Sequence, residues 1–230
     1  MINELDLTDL NFFTTNKIIL NKINLITGYN NTGKSYLLKY IEEKTNNITY
    51  NCLHNAIFFY TYHLILLNLD KHLLDKVSFE LNTILNSSID VFDIINNYKK
   101  WDDIKFSYKF LITIITNILI SKDNSILIIE CPESILHPNS QSKLINFITR
   151  NINNSQFFIK TYSEHILNAF RVNIVEERLN YNNISIFNLS KENENISIEN
   201  IEINKDGTIY NWPIGFFDQF DIDCNKIFGI

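Results

Sequence analysis

Hydrophobic and polar positions alternate from residue 2 to residue 13, a pattern typical of a β-strand with one buried face. The apolar run at 17–28 predicts a second strand, which ends at Gly28. Two further runs, SILIIE at 125–130 and QFFIKT at 156–161, are almost continuously apolar, as in strands buried on both faces. Nearer the C-terminus, NISIFNLS and ISIENIEIN predict a pair of strands.

Helical spacing fills the stretches between these strands. Leu37, Leu38 and Ile41 fall on one face of a helix that follows Gly28. Residues 52–121 are also mostly helical in pattern, with Asn- and Ser-rich interruptions. This stretch separates the second predicted strand from the third.

Two more helices follow the strand at 125–130. Pro138 marks the start of one, because proline is favoured at a first helical position, and SEHILNAFRVNIVEE predicts another. No Pro/Gly-rich linker or internal repeat divides the chain. We expect one α/β domain over residues 1–230, a sheet with flanking helices, with a short helical insertion lobe at 50–105.

Composition narrows the class of protein. The 230 residues are 45% hydrophobic, enough for a substantial core, and the net charge of −6 argues against a generally basic, nucleic-acid-binding surface, although a local one stays open. Cys52, Cys131 and Cys224 lie far apart, which disfavours a zinc site or a disulfide scaffold. The longest apolar runs, near 56–69 and 110–120, are broken by polar residues and fall short of a membrane span. The cytoplasm is therefore the expected location.

The stretch GYNNTGKS at 28–35 fits the phosphate-loop pattern GxxxxGK[ST]. Its glycines let backbone N–H groups turn toward a phosphate, and the helix that follows adds partial positive charge. The lysine would neutralise β- and γ-phosphate oxygens, and the serine would bind Mg²⁺. A chance match on a glycine-bearing turn is the alternative, but the flanking strand and helix favour the loop. The predicted cofactor site, for ATP, comprises Gly28, Asn30, Asn31, Thr32, Gly33, Lys34, Ser35 and Tyr36.

Glu130 ends the buried strand SILIIE, at the edge of an α/β sheet where ligands bind. Its carboxylate would hold Mg²⁺ there, directly or through water. A strand-end carboxylate facing solvent is the alternative. Ser35 and Glu130 are thus the predicted metal ligands, and Glu130 is also a predicted catalytic residue.

Three stretches in this order, NLITGYNNTGKS, LIIECPESILHPNSQSKL and KTYSEHILNAFR, resemble the ABC-type ATPases of the overcoming-lysogenization-defect and RecF-like group. The tail DGTIYNWPIGFFDQF is similar to the C-terminal signature of an uncharacterised AAA-family ATPase branch. The resemblance covers both ends of the chain, whereas the lobe at 50–105 is shorter than is usual. It implies a P-loop ABC-type sheet and a head-to-head dimer, or a larger oligomer, with two ATP molecules at the interface.

Several positions depart from that family pattern. Cys131 stands where many ABC ATPases have a water-activating glutamate, and a thiol is a poor general base near neutral pH. Glu133 is the candidate catalytic substitute, with helix capping or loop binding as alternatives. Tyr162 stands at the switch-histidine position and cannot become a cation. Ser107 lacks the flanking glycines of the signature motif, so it indicates either a weakened signature or an ordinary capped core helix.

Two features each keep two interpretations open. His137 either lies at a dimer contact or caps its helix. The aromatic tail, with Trp212, Phe216, Phe217 and Phe220, either packs on the core, which is favoured, or forms an exposed hook for a partner.

These features favour an ATP-binding ABC-type ATPase module with slow or weak hydrolysis that regulates a partner effector, such as a nuclease. The resemblance implies a place in bacterial anti-phage defence. The alternative is a catalytically inactive scaffold subunit that docks an effector, because Cys131, Tyr162 and the missing signature glycines remove parts of the hydrolytic machinery. Nuclease activity of the chain itself is disfavoured, since no clustered Asp/Glu set for two-metal cleavage is evident.

Overall fold

The computed structural model describes residues 1–45, 48–52, 65–152, 155–210, 212–213 and 215–229. The strands in these residues form two sheets. In chain order they are β1 (Glu4–Asp6), β2 (Lys17–Ile19), β3 (Ile23–Gly28), β4 (Ile48–Cys52), β5 (Ile126–Glu130), β6 (Gln156–Lys160), β7 (Ile184–Glu192) and β8 (Asn195–Ile201). The small sheet is the antiparallel pair β1–β2. The large sheet has the order β4-β5-β6-β3-β7-β8, and its neighbours are parallel except for the antiparallel pair β7–β8.

Helices lie between and after these strands. In the described part of the chain they are α1 (Lys34–Lys44), α2 (Lys71–Leu85), α3 (Val91–Ile95), α4 (Tyr98–Asp103), α5 (Phe106–Ile120), α6 (Pro138–Arg150), α7 (Glu164–Val175) and α8 (Gln219–Phe228). Pro138 occupies the first position of α6, as predicted. None of these described helices combines the length and the apolar character that crossing a bilayer requires.

The central strands are buried on both faces because their side chains point alternately into two hydrophobic clusters. On one face, Leu25 and Phe157 join the cluster that contains residues of α2, α5, α6 and α7. On the other face, Ile26 and Phe158 pack with residues of α1, β1 and β2. This alternation places the last side chains of β5 and β6 on the α1 face. Because β3, β5 and β6 are parallel, their carboxyl ends meet at one edge of the sheet, beside the start of α1.

The predicted strand at 17–28 is in fact two strands in different sheets, and two asparagines account for the break. The buried Asn24 side chain accepts a hydrogen bond from Asn21 N at 3.0 Å and donates one to Asn21 O at 2.7 Å, which closes a turn between β2 and β3. It also donates to Phe157 O at 3.2 Å. The chain therefore changes direction at a buried amide whose polar atoms are satisfied.

The helical lobe predicted at 50–105 begins later than expected. β4 extends to Cys52 and pairs in parallel with β5, so residues 50–52 belong to the sheet, while 53–64 lie outside the described residues. The helices α2, α3 and α4 follow, as the pattern predicts. Buried side chains of α2, such as Val77 and Leu81, share one hydrophobic cluster with the sheet. The described helices of the lobe therefore pack as part of the domain core.

Gly28 provides a stability test of the junction between β3 and the following loop. Its φ is 127°, and a Cβ there would lie 2.1 Å from the carbonyl oxygen of Leu189 on β7. We expect Gly28→Ala to lower the free energy of unfolding by about 2–4 kcal/mol, because strain and a backbone clash combine. Chemical denaturation measures this change. The control Gly229→Ala also has a positive φ, 69°, but meets no atom within 4 Å. It should cost about 1 kcal/mol; equal losses for both variants would contradict the clash.

Candidate functional site

The residues between β3 and α1 form a tight loop at the carboxyl edge of the sheet. Asn31 and Gly33 adopt left-handed φ values of 63° and 84°, and Gly33 is the N-cap of α1 without a side-chain cap bond. The first N–H groups of α1 therefore lie at the open N-terminal end of the helix, beside the loop. A cavity of about 510 Å³ opens there. It is lined by Asn30, Asn31, Thr32, Gly33, Lys34, Ser35, Tyr36 and Tyr162.

Lys34, the predicted phosphate-binding lysine, is buried and bonded to its own loop. Its Nζ donates to Gly28 O at 2.7 Å, to Tyr29 O, and to Thr32 Oγ1 at 3.1 Å. Thr32 Oγ1 in turn donates to Tyr29 O at 2.8 Å. The ammonium is thus held at the wall of the cavity by neutral acceptors that an anionic oxygen would outcompete.

Lys160 lies between the two predicted metal ligands. Its Nζ donates to Ser35 Oγ at 2.8 Å and to Glu130 Oε2 at 2.7 Å. Glu130 and Lys160 are paired neighbours on β5 and β6, and their side chains are only 15% and 11% exposed. A hydroxyl and a carboxylate that converge on one point suit a cation. The cation at that point is, however, a lysine of the chain itself.

The two lysines differ in how firmly they hold their protons. Burial, together with the charge of Lys160, lowers the pKa of Lys34 to about 8. Burial would also lower the pKa of Lys160, but the hydrogen bond and the charge of Glu130 outweigh burial and raise it. Lys160 is thus stabilised as a cation by its partner. Lys34 is the group whose charged form an incoming phosphate would stabilise further.

Cys131 follows β5 directly, and its surroundings disfavour the thiolate form. Its φ is 48°, and its N–H donates to Lys160 O at 2.8 Å. Burial and the charge of Glu133 raise the pKa of its thiol to about 11. At neutral pH the sulfur therefore keeps its proton and does not accept one from water.

Glu133, the predicted catalytic substitute, is engaged with the segment after β6. Its Oε2 accepts from Thr161 Oγ1 at 2.9 Å, and its Oε1 accepts from Tyr162 N at 2.7 Å. Thr161 Oγ1 also accepts from Ser163 N at 3.0 Å. These bonds agree with the loop-binding alternative for Glu133; a catalytic role stays a prediction.

Tyr162, which the resemblance aligns with a switch histidine, lies next to Lys34. Its ring centroid lies 4.6 Å from Lys34 Nζ, within range of a cation–π contact. Burial raises the pKa of its phenol, whose ordinary value already lies above neutral pH, so the hydroxyl is neutral. Tyr162 therefore offers an aromatic face and a hydroxyl to the cavity, and no second positive charge.

The aromatic tail packs on the core, as the favoured alternative predicts, and it also lies beside the loop at 28–35. Phe216 is 2% exposed, and its ring meets those of Trp212 and Phe217 edge-on at 5.2 and 4.9 Å. A Cβ on Gly215 would lie 2.2 Å from the Tyr29 hydroxyl, so the tail backbone touches the loop. A second cavity of about 210 Å³ lies between tail and loop. The tail is therefore part of the wall of the candidate site.

Three details correct or settle the sequence-based expectations. Ser107 lies within the first turn of α5, and Lys105 holds the N-cap position without a side-chain bond, so the prediction that Ser107 caps this helix is wrong. His137 Nδ1 accepts from Asn139 N at 3.3 Å, which supports capping of α6. Phe220 lies on α8, a helix that the pattern did not predict, and is 68% exposed.

Lys160 is the residue of the candidate site that the sequence analysis missed. A signal was present: in QFFIK the lysine stands two positions after Phe158, so strand alternation puts both on one face. Glu130 has the same relation to Ile128 on β5. Two opposite charges at the ends of two buried strands would have predicted their ion pair.

A known protein family matches a segment near the C-terminus of the chain. Residues 179–227 match a family described as "Protein of unknown function (DUF3696)". The match includes β7, β8 and the aromatic tail, and it assigns no activity. No curated protein matches the chain.

Solved structures with a similar fold include the SMC head domain from Thermotoga maritima. It has a TM-score of 0.52 at 9% identity, over 81% of this chain and 93% of that one. The head of an SMC protein bound to the C-winged helix domain of ScpA has a TM-score of 0.33 at 11% identity, over 43% of this chain and 26% of that one. The archaeal ribosome recycling factor aABCE1, in complex with the ribosomal stalk protein aP1, has a TM-score of 0.44 at 12% identity, over 81% and 35%. The first similarity shows the fold: the chain has the α/β fold of that SMC head domain.

The hydrogen bonds of Glu133 predict slow amide hydrogen exchange in the segment after β6. Glu133→Ala removes the acceptor of Tyr162 N–H, so we expect the Tyr162 amide hydrogen to exchange about tenfold faster or more. Hydrogen exchange followed by NMR measures this. The matched control, Glu133→Gln, keeps a carbonyl oxygen for Tyr162 N–H and should change the rate less. Unchanged exchange in Glu133→Ala would show that another group protects this amide.

Proposed function

We propose that residues 1–230 form one ATP-binding domain of the ABC type, with the nucleotide phosphates on residues 28–36. The observation that carries the proposal is the cavity of about 510 Å³ at the start of α1. Lys34 and the residues around it line this cavity. The fold shared with an SMC head domain supports one domain of this type. The helical insertion, in this proposal, is a packed part of the domain.

The chain would bind phosphate through three kinds of positive group: the first N–H groups of α1, Lys34 and Lys160. Lys34 would exchange the carbonyl oxygens of Gly28 and Tyr29 for phosphate oxygens, because hydrogen bonds to charged acceptors are stronger. The sequence predicts Mg²⁺ on Ser35 and Glu130, where it would neutralise charge at the β- and γ-phosphates. That arrangement requires Lys160 to leave both oxygens.

Hydrolysis by this site is proposed to be slow. The thiol of Cys131 is protonated, both oxygens of Glu133 are engaged, and Tyr162 adds no positive charge opposite a γ-phosphate. A positioned general base contributes about 10²–10⁴ in rate, so its absence is a large loss. Glu130, the remaining catalytic candidate, is paired with Lys160.

The proposed role is nucleotide-dependent regulation of a partner effector, such as a nuclease, in bacterial anti-phage defence in the cytoplasm. ATP would shift the equilibrium between assembly states only by the difference in its affinity for those states. A homodimer or larger oligomer is the proposed form. Three exposed tyrosines around the loop support an interface with another chain there, because aromatic residues are enriched at protein interfaces. Tyr29, Tyr36 and Tyr162 are 68%, 49% and 45% exposed.

A catalytically inactive scaffold is the second candidate. The engaged state of Glu133 and the protonated thiol of Cys131 favour it, since together they leave the switch region without a free base. In that case nucleotide would bind, or the loop would serve only as structure, and no turnover would follow. The two predictions below separate binding from turnover.

Lys34→Ala tests nucleotide binding. We expect the Kd for ATP to rise at least about 30-fold, because the variant loses a buried cation that faces the phosphates. Isothermal titration calorimetry measures the Kd. Lys39→Ala is the matched control on the same helix, since the Lys39 side chain is 72% exposed, and it should leave the Kd unchanged. Equal affinity of wild type and Lys34→Ala would remove the basis of the proposed function.

Cys131→Glu tests what limits turnover. A carboxylate at this position would accept a proton from water, so we expect the rate of radiolabelled ATP hydrolysis to rise by about tenfold or more. Cys131→Gln is the matched control, with the same shape and no base, and should stay at the wild-type rate. Equal rates for the Glu and Gln variants would show that the missing base is not the limiting defect, which favours the inactive scaffold.

A further inference from the structure

Lys160 stands where phosphate-loop sites place a divalent cation. Its position therefore bears on how the proposed nucleotide site would bind phosphates. The hydroxyl that follows the loop lysine and the acid at the end of another strand of the sheet are the usual metal-binding pair. In this chain, Ser35 Oγ and Glu130 Oε2 lie 2.8 and 2.7 Å from Lys160 Nζ. Both oxygens therefore already contact a cation.

The position of Lys160 is fixed by the sheet. β6 lies between β5 and β3, and Lys160 is in register with Glu130 on one side and Ile26 on the other. Its carbonyl accepts a hydrogen bond from Cys131 N at 2.8 Å. With a side chain only 11% exposed, Lys160 differs from the solvated Lys39 of α1. Its ammonium is therefore held in a fixed position beside Ser35 and Glu130.

A metal ion and this ammonium compete for the same two oxygens. Mg²⁺ binds oxygen at about 2.0–2.1 Å, so an ion on Ser35 and Glu130 would lie close to Lys160 Nζ, where like charges repel. Moving the lysine away would leave a mostly buried ammonium without its carboxylate, which is costly. The site thus favours one cation at this point, the one that the chain carries.

We propose that Lys160 replaces the divalent cation, so that this site binds the phosphates of a nucleoside triphosphate without Mg²⁺. The inference rests on the proposed nucleotide-binding function. Lys160 and Lys34 then face the phosphates together, while Glu130 holds Lys160 in place and balances its charge before nucleotide arrives. The ligand class is a metal-free nucleoside triphosphate.

Fluorescence anisotropy with ATP that carries an N-methylanthraniloyl group tests this inference. Wild type and Lys160→Met are each titrated in EDTA and in millimolar MgCl₂. We expect the wild-type Kd to differ by less than about threefold between the two conditions, since the ammonium supplies the charge in both. Lys160→Met should bind at least about 30-fold more weakly in EDTA. It should recover in MgCl₂, because Ser35 and Glu130 become available to the metal.

Lys39→Met and Lys34→Ala are the controls. Lys39→Met should behave as wild type in both conditions. If wild type binds only with MgCl₂ while Lys34→Ala does not bind, the nucleotide site stands and the role of Lys160 is overturned. If wild type binds in neither condition, the proposed function fails as well. The wild-type comparison decides the matter even if Lys160→Met does not fold.

Discussion

The ion pair between Lys160 and Glu130 joins the parts of the molecule on which the candidate site depends. It links the ends of two neighbouring strands, and the bond from Lys160 to Ser35 adds the first turn of α1. These groups meet because parallel strands end at one edge of the sheet and because alternation turns positions 130 and 160 toward the α1 face. A shift of one residue in the register of β6 would turn the ammonium to the opposite face.

The same edge shows how thoroughly the polar groups of the site are satisfied by one another. Lys34 is bonded to loop carbonyls, and Glu133 binds the segment that carries Tyr162. In the proposed function, nucleotide would therefore replace internal bonds rather than fill free ones, so its affinity would reflect a difference between two bonded states. Binding can still be favourable, because phosphate oxygens are charged and the loop carbonyls are not. The proposed hydrolysis would gain no such advantage, because the Cys131 thiol is protonated and both oxygens of Glu133 are already bonded.

Local patterns predicted much of the fold and part of the site. The spacing of glycines, lysine and serine identified the loop at 28–35, and the apolar runs located β5 and β6, because each depends on neighbouring residues alone. Other features depend on contacts distant in sequence. The break before β3 follows from Asn24, whose amide also bonds to Phe157 O, and β4 exists by pairing with β5. The placement of Lys160 required both strand alternation and the register between strands, and the engagement of Glu133 required the position of the segment after β6.

The most direct test of the central claim is a crystal structure grown with ATP and MnCl₂, with anomalous scattering measured at the manganese edge. The expected result is triphosphate density on the loop, with Lys160 Nζ still bonded to Ser35 and Glu130 and no manganese peak between them. A manganese peak bonded to Ser35 Oγ, with Lys160 turned away from Glu130, would contradict it.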